Sequence, residues 1–442
     1  MSLRVAVQTL GCKVNQYESS YFLEVLTNQG YREVPFSTPA EVYLVHGCGV
    51  TSKASHEACR LLRRAARTNP SALVVAAGCN AVLEGRRIAR EGLATHILGN
   101  DDKYDLLRRL DEPASRDHPV VSVGDPRSIG SFRAVPVRCP PGGRARALLK
   151  AQDGCDAFCS YCIVPYTRGK SRSLPLEDVF AQAAVFVEEG FREVVLTGVH
   201  LGQWGRDLSP PRRFSELLRR MDETVRPKRV RLSSLEVLEI RGEVLGEIRA
   251  RSWICPHFHV PLQSGHPEIL RRMNRKYTPR EYGEILRELR SLFPRASLGA
   301  DVMVGFPGET PRAFEETYEL VRKLPLTYLH VFPYSPRPGT PASKLPGRVV
   351  GGELRDRARA LRELGAHKKL AFMEEALGTW VEVMAETEIA SGWYGGTSEN
   401  YLHVNFPSSA PIPPGTLVRV KLTNLTPRGL VGRADSGKGP AP

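Results

Sequence analysis

The 442-residue sequence lacks any long apolar run; its longest, ALVVAAGCNAVL from Ala72 to Leu83, is far too short to span a bilayer. Its opening, MSLRVAVQTLGC, has no charged leader, apolar core or small-residue cleavage site. It reads as a strand, and a cytoplasmic protein with no membrane association is expected. No internal repeat is visible. Acidic residues are in deficit, 48 Asp and Glu against 62 Lys and Arg, for a formal net charge of +14. Such an excess favours a polyanionic partner, with nucleic acid first, over an inert basic surface. The nine cysteines are an odd number in a chain with no export signal. A disulfide scaffold is therefore disfavoured, and reduced thiols serving metal or redox chemistry are expected.

What is present is ordinary globular material, 41% hydrophobic and 25% charged, long enough for two or three domains. Three apolar runs, Leu3 to Gly11, Glu41 to Gly47 and Ala72 to Gly78, end in glycine and alternate with helical patterns such as QYESSYFLEVLTNQG. That rhythm predicts a parallel α/β sheet over residues 1–114. A cysteine follows each run, Cys12, Cys48 and Cys79. Parallel strands end on one edge of their sheet, so the three thiols should converge there.

A linker is expected over residues 115–144, ending in the turn-rich CPPGGRAR. Residues 145–372 then carry six candidate strand–helix units, beginning near Ala147, Glu193, Arg229, His257, Leu298 and Tyr328. Six such units predict a partial (β/α)6 barrel with its site at the C-terminal strand ends. Residues 373–435 alternate like short strands and predict a small β-barrel, and residues 436–442 a disordered tail.

The loop after the first of these six strands reads DGCDAFCSYC, with Cys155, Cys159 and Cys162 within eight positions. A structural zinc site closes with four ligands, and no fourth cysteine or histidine follows nearby. Close cysteine spacing also suits a cubane iron–sulfur cluster, in which three thiolates leave one iron open. Both readings stand on the spacing alone.

The loop resembles the signature of the radical S-adenosylmethionine (SAM) superfamily, C-x3-C-x2-C with an aromatic, here Tyr161, before the last cysteine. TLGCKVNQYES, CGVTSKAS, GCNA, VLTGVHLGQWGRD, RLSSLE, HFHVPLQSGHPEILRRMNRKYT, DVMVGFPGET and HVFPYSPRPGTPAS resemble, in order, the motifs of the methylthiotransferases from about Leu3 to Arg433. RLSSLE and GGTSENYLHV are most similar to the branch acting on threonylcarbamoyladenosine in tRNA. The resemblance implies two 4Fe–4S clusters, one on Cys155, Cys159 and Cys162 with its open iron bound by SAM, the other on Cys12, Cys48 and Cys79. It also implies SAM as both methyl donor and radical source, a tRNA anticodon region as substrate, an electron donor, a sulfur source, and an RNA-recognising TRAM domain as the C-terminal barrel. The reaction implied converts the adenosine beside the anticodon to its 2-methylthio derivative.

Position along the strands supplies further candidates. Thr197 and Gly198 follow the second strand of the barrel, Ser233, Ser234 and Glu236 the third, Gln263 the fourth and Gly305 the fifth; these, with Tyr161 and Arg168, are expected near SAM. Arg172 and Tyr401 are expected at RNA. Cys59, Cys139 and Cys255 match no ligand position and read as ordinary thiols. The chain departs from the family pattern at His46-Gly47, where Asn-Thr is usual, and at Asn80, where an aromatic or Met often stands. Residues 378–442 hold five basic and five acidic residues, so phosphate contacts are expected to be shared with the N-terminal domain. Competing readings are an enzyme acting on isopentenyladenosine in tRNA or on a ribosomal protein, and a non-catalytic zinc protein that binds nucleic acid.

Overall fold

Short strands followed by a glycine and, within a few residues, by a helix build the N-terminal third. In the computed structural model, which describes residues 3–138, 145–225, 227–427 and 429–435, strands β1 (Arg4–Thr9), β2 (Arg32–Glu33), β3 (Val42–His46), β4 (Leu73–Ala77), β5 (His96–Leu98) and β6 (Val120–Ser122) form one sheet. Its order is β2-β1-β3-β4-β5-β6 and every pairing is parallel. Helices α1 (Lys13–Asn28), α2 (Ser52–Thr68), α3 (Cys79–Arg90) and the short α4 (Leu106–Leu110) connect them. All five residues of β3 are buried, as a central parallel strand requires.

The second unit contains β7 (Ala147–Lys150), β10 (Glu193–Thr197), β11 (Arg229–Leu232), β12 (His257–His259), β13 (Ser297–Val304) and β14 (Tyr328–Pro333), with the small pair β8 (Gln152–Asp153) and β9 (Arg172–Ser173). Two parallel three-stranded sheets, β7-β10-β11 and β12-β13-β14, are joined by the Val230–Ile254 bridge into one open array of six. Helices α5 (Val164–Arg168), α6 (Leu176–Glu188), α7 (Phe214–Thr224), α8 (Gly242–Ala250), α9 (Pro267–Arg272), α10 (Pro279–Leu292), α11 (Pro311–Lys323) and the 25-residue α12 (Gly351–Glu375) complete it. Helix starts carry local causes: Thr278 and Glu281 form a reciprocal capping box ahead of Pro279, and Thr310 caps α11 through the Ala313 amide.

Strands β15 (Trp380–Ala390), β16 (Trp393–Ser398), β17 (His403–Pro407), β18 (Leu417–Thr426) and β19 (Gly429–Ala434) close a barrel in the order β15-β16-β17-β19-β18. It has its own core, including Val383, Tyr394, Val404 and Phe406. By contrast, one continuous apolar core runs from Tyr17 and Phe22 of α1 to Leu148, Leu149 and Phe180 beside β7. The N-terminal sheet and the six-stranded array therefore pack as one body. The C-terminal barrel is joined by polar groups: Arg229 donates to the Glu382 carbonyl (2.6 Å), and Arg231 to those of Glu399 and Ser398 (3.0 Å each). Buried Glu193 accepts from both arginines, and they hold its carboxyl down to about 2 although burial alone would raise it. No helix among the described residues is long and apolar enough to cross a membrane. Cys139, the end of the expected linker and the tail at 436–442 lie outside the described residues.

Candidate active site

A cavity of about 700 Å³ opens where the C-terminal ends of both sheets meet, and all six cysteines of the two expected sets line it. Cys12 is the N-cap of α1 and Cys79 the first residue of α3, so two of the thiols sit at helix starts. The Leu10 amide donates to the His46 carbonyl (2.9 Å) and the Gly47 amide to that of Ala77 (2.8 Å), which ties the three strand ends together. Gly11 lies at φ +108°, and a Cβ there would stand 2.8 Å from Cys48 Cβ. The two departures from the family pattern form one feature. A side chain at Gly47 would stand 2.6 Å from Asn80 Cβ, so the missing side chain at 47 makes room for Asn80. His46 does not reach the cavity wall; it is fully buried, bonded to Ser19 (2.9 Å), with Lys103 and Glu18 beside it.

Cys155, Cys159 and Cys162 need a loop that folds back on itself. The Cys155 amide donates to the Gly169 carbonyl (3.1 Å) and the Cys162 amide to that of Cys159 (2.9 Å). Phe158 is held at φ +45°, a left-handed conformation unusual for a bulky residue. The segment after α9 clamps this turn: Asn274 Nδ2 donates to the Phe158 carbonyl (2.9 Å), and Ser160 to the carbonyls of Met273 and Arg272. Arg275 Nη1 lies 3.4 Å from Cys159 Sγ, and His200 Nδ1 lies 3.4 Å from Cys155 Sγ with its Nε2 2.8 Å from Glu239. Sequence reasoning missed His200, Glu239, Asn274 and Arg275. The segment RRMNRKYT reads as a basic patch, yet Arg275 turns inward and pairs with Glu236.

A buried charge network joins the two thiol sets. Arg168 donates to Glu18 (3.0 and 3.1 Å), Asp153 (2.8 Å) and Asn15 (2.6 Å). Lys103 and Lys150 also reach Glu18, at 2.6 and 2.7 Å. Asn15 Oδ1 lies 3.7 Å from Cys12 Sγ, Asn100 Nδ2 3.4 Å from Cys79 Sγ, and Asp153 stands two residues before Cys155. Burial alone would raise the Glu18 carboxyl, but Arg168, Lys103 and Lys150 hold it well below the usual carboxylate range. Burial lowers Lys103 to about 8 despite Glu18. Burial also pushes Cys48 up to about 11 and Cys162 to about 12. Thiols in such surroundings stay protonated on their own and release their protons to solvent when a cation binds the sulfur.

The remaining expected residues divide. Tyr161, Thr197, Gly198, Ser233, Ser234, Glu236, Gln263, Arg168 and Tyr401 line the cavity. Ser233 Oγ and Gln263 Oε1 are buried without a hydrogen-bond partner among the described residues, so polar valence faces the cavity. Gly305 is a correction: a Cβ on it would stand 2.3 Å from Leu354, so it serves the packing of α12 and not the cavity wall. Arg172 is another: it is only 6% exposed and bonds the Lys170 carbonyl, which leaves no phosphate-facing guanidinium. Arg168 lines the cavity, but its guanidinium is taken up by Glu18, Asp153 and Asn15. Cys59 and Cys255 are buried and away from the cavity, as expected. On the far wall His259, Asp301 and His330 present three ligand-type atoms within 4.8 Å of one another. They already satisfy one another, with His259 to Asp301 at 3.0 Å and His330 to Asp301 at 3.3 Å.

The open six-stranded array, with a three-thiol loop after its first strand, defines a radical-SAM enzyme fold. Residues 149–321 match the Radical SAM superfamily, and residues 4–99 match the uncharacterized protein family UPF0004. The solved radical S-adenosylmethionine methyltransferase TsrM from Kitasatospora setae superposes with a TM-score of 0.55 at 15% identity, over 77% of this chain and 75% of that one. That likeness is one of fold. The threonylcarbamoyladenosine tRNA methylthiotransferase MtaB of Aquifex aeolicus is 35% identical over 95% of this chain and 100% of its own length. Its namesake in Thermotoga maritima is 34% identical over 99% of both. The tRNA-2-methylthio-N(6)-dimethylallyladenosine synthase of Pelotomaculum thermopropionicum is 32% identical over 94% of this chain and 95% of that protein. The chain belongs to the radical-SAM methylthiotransferase family. Its cofactors are two 4Fe–4S clusters and SAM, and two three-thiol sets beside unpartnered polar atoms fit that load.

Proposed function

We propose that this enzyme, working in the cytoplasm, inserts a methylthio group at C2 of N6-threonylcarbamoyladenosine beside the anticodon of tRNA. The observation that carries the reading is the meeting of both three-thiol sets on one cavity, in a chain whose full-length relatives include enzymes named for that nucleoside. Cys155, Cys159 and Cys162 hold the cluster that binds SAM, and Cys12, Cys48 and Cys79 hold the second. Bound there, the cofactors supply the radical that removes the C2 hydrogen, the methyl group and the sulfur.

The protein's own part is placement. Thr197, Gly198, Ser233 and Gln263 offer polar groups and close backbone approach to SAM, and Tyr161 walls the loop against Phe306 (ring centroids 6.5 Å). Arg275 and His200 lie against Cys159 and Cys155 and neutralise thiolate charge as they orient it. The Glu18–Arg168 network fixes the spacing between the two cysteine sets. The C-terminal barrel exposes Trp380 and Trp393, and Arg419 lies over the Trp380 ring (4.8 Å), a surface on which bases can stack. Tyr394 and Phe406 belong to the barrel core instead.

The test is anaerobic reconstitution followed by incubation with tRNA. About eight iron per chain is expected, falling to about four when either cysteine set is changed to alanine. Nucleoside mass spectrometry should show 2-methylthio-threonylcarbamoyladenosine with the intact chain and none with either variant. A colourless product that holds zinc in place of iron would favour a zinc protein; methylthio product on isopentenyladenosine or on a ribosomal protein would move the substrate.

A further inference from the structure

The cations around the cavity are matched by partners, with one exception. Arg168 is taken by Glu18 and Asp153, Arg275 by Glu236, and Arg231 by Glu193. Arg146 reaches Glu386 at 2.8 Å. Lys13, in the first turn of α1, has no hydrogen bond or ion pair to any described residue. It lines the main cavity beside Cys12 and also an adjoining one of about 420 Å³, walled by Arg146, Arg231 and Glu386. The charges facing it are Arg231 and Arg146, which repel it, and Cys12 and Glu193, which attract it. A half-buried ammonium among arginines calls for an anion from outside.

Tyr401 is the second, independent observation. It reaches from the C-terminal barrel to both cavities and lies at φ +67°, a left-handed conformation that a non-glycine residue rarely adopts. Its ring stacks on His257 with centroids 4.1 Å apart. Its hydroxyl has no protein partner among the described residues, and Tyr401 lines the same two cavities as Lys13.

We propose that Lys13 and the Tyr401 hydroxyl form a subsite for the carboxylate of an amino-acid group carried on N6 of the substrate adenosine. The proposal rests on the function above and names the part of the substrate that this wall reads. In adenine a single ring nitrogen separates C2 from C6. A base whose C2 faces the Cys12, Cys48 and Cys79 set therefore carries its N6 substituent onto the adjoining wall, where Lys13 stands. An apolar N6 substituent would seal the ammonium away from water with no anion in hydrogen-bond reach among the described residues, so the subsite selects against it as well as for the acid.

The test is binding of anticodon stem-loops to the reconstituted holoenzyme by fluorescence anisotropy. One loop carries threonylcarbamoyladenosine, a second its carboxamide and a third plain adenosine. The intact enzyme should prefer the acid to the amide about tenfold, the size of one charge-assisted contact. Lys13→Met should erase that preference while holding the amide loop within about twofold, and Lys13→Arg should restore it. Loss of affinity for acid and amide alike, or for neither, overturns the subsite. Should Lys13→Met lose iron because of its neighbour Cys12, Tyr401→Phe carries the test: the acid-to-amide ratio must fall, and an unchanged ratio overturns the proposal. An intact enzyme that binds the acid loop no better than plain adenosine sinks the proposed substrate and the subsite with it. A preference indifferent to both residues sinks the subsite alone.

Discussion

On the function proposed above, the two cysteine sets do the same kind of work by different constructions. Cys155, Cys159 and Cys162 sit on one loop, and their spacing is written into eight consecutive positions. Cys12, Cys48 and Cys79 are brought together only by the order of β1, β3 and β4 in a sheet. A loop set depends on a few local turns, whereas a sheet set depends on every strand register beneath it. The first should therefore survive damage to the N-terminal fold, and the second should not. Its vulnerability is reduced where the two meet, because the Glu18–Arg168 network ties both to one buried centre.

Breaking that centre has the largest expected effect on cluster occupancy. Glu18→Gln leaves Arg168, Lys103 and Lys150 buried with one carboxylate, Asp153, among them, and removing one partner of a buried charge network costs about 3–5 kcal/mol. Thermal unfolding should shift down accordingly, and iron content should fall for both sets together. Loss confined to one set would show that the network stabilises that side and does not join the two.

Two glycines separate the sets. Gly11→Ala places a Cβ 2.8 Å from Cys48 Cβ at φ +108°, and Gly154→Ala places one 1.8 Å from the Lys170 carbonyl oxygen at φ +71°. Each change carries about 1–3 kcal/mol of backbone strain, plus the clash. Gly11→Ala should remove about four of eight iron and leave SAM cleavage by the loop cluster; Gly154→Ala should do the reverse. Iron analysis with a SAM-cleavage assay reads both, and equal loss of SAM cleavage in the two variants would erase the distinction.

Legibility in the sequence follows the same division. The loop set, the strand–helix rhythm and the β-barrel are local patterns of spacing and periodicity, and the fold shows them, though β6 (Val120–Ser122) extends the N-terminal sheet into the stretch expected as linker. Convergence of Cys12, Cys48 and Cys79 was readable because parallel strands share an edge. Glu18, Asn100, Arg275 and Lys13 were not readable, since their roles lie in partners set by the fold or, for Lys13, in the lack of one among the described residues. Arg168 pairs with Glu18 across 150 positions, and Arg275 meets Cys159 across 116. Gly305 and Arg172 misled for the complementary reason: each has the residue type that suits a ligand, but its neighbours in space, Leu354 and the Lys170 carbonyl, already occupy it.

The smallest effect on the clusters is expected at the interface that carries none. Glu193 joins the C-terminal barrel to β10 and β11 through Arg229 and Arg231 and bonds no ligand cysteine among the described residues. Its folded value, about 2, lies below the unfolded carboxylate value near 4.5. The linkage sign follows: its stabilising contribution is complete above about pH 4.5 and drains away as pH falls toward 2, at about 1.4 kcal/mol per unit. Unfolding midpoints should thus be insensitive to this group from pH 8 down to pH 5. Glu193→Gln should reproduce the acid effect at neutral pH, loosening the barrel while iron content stays at about eight. Limited proteolysis after α12 reads the loosening and iron analysis reads the clusters. If iron were lost with the barrel, the sheet set would depend on the whole chain and not on its own strands.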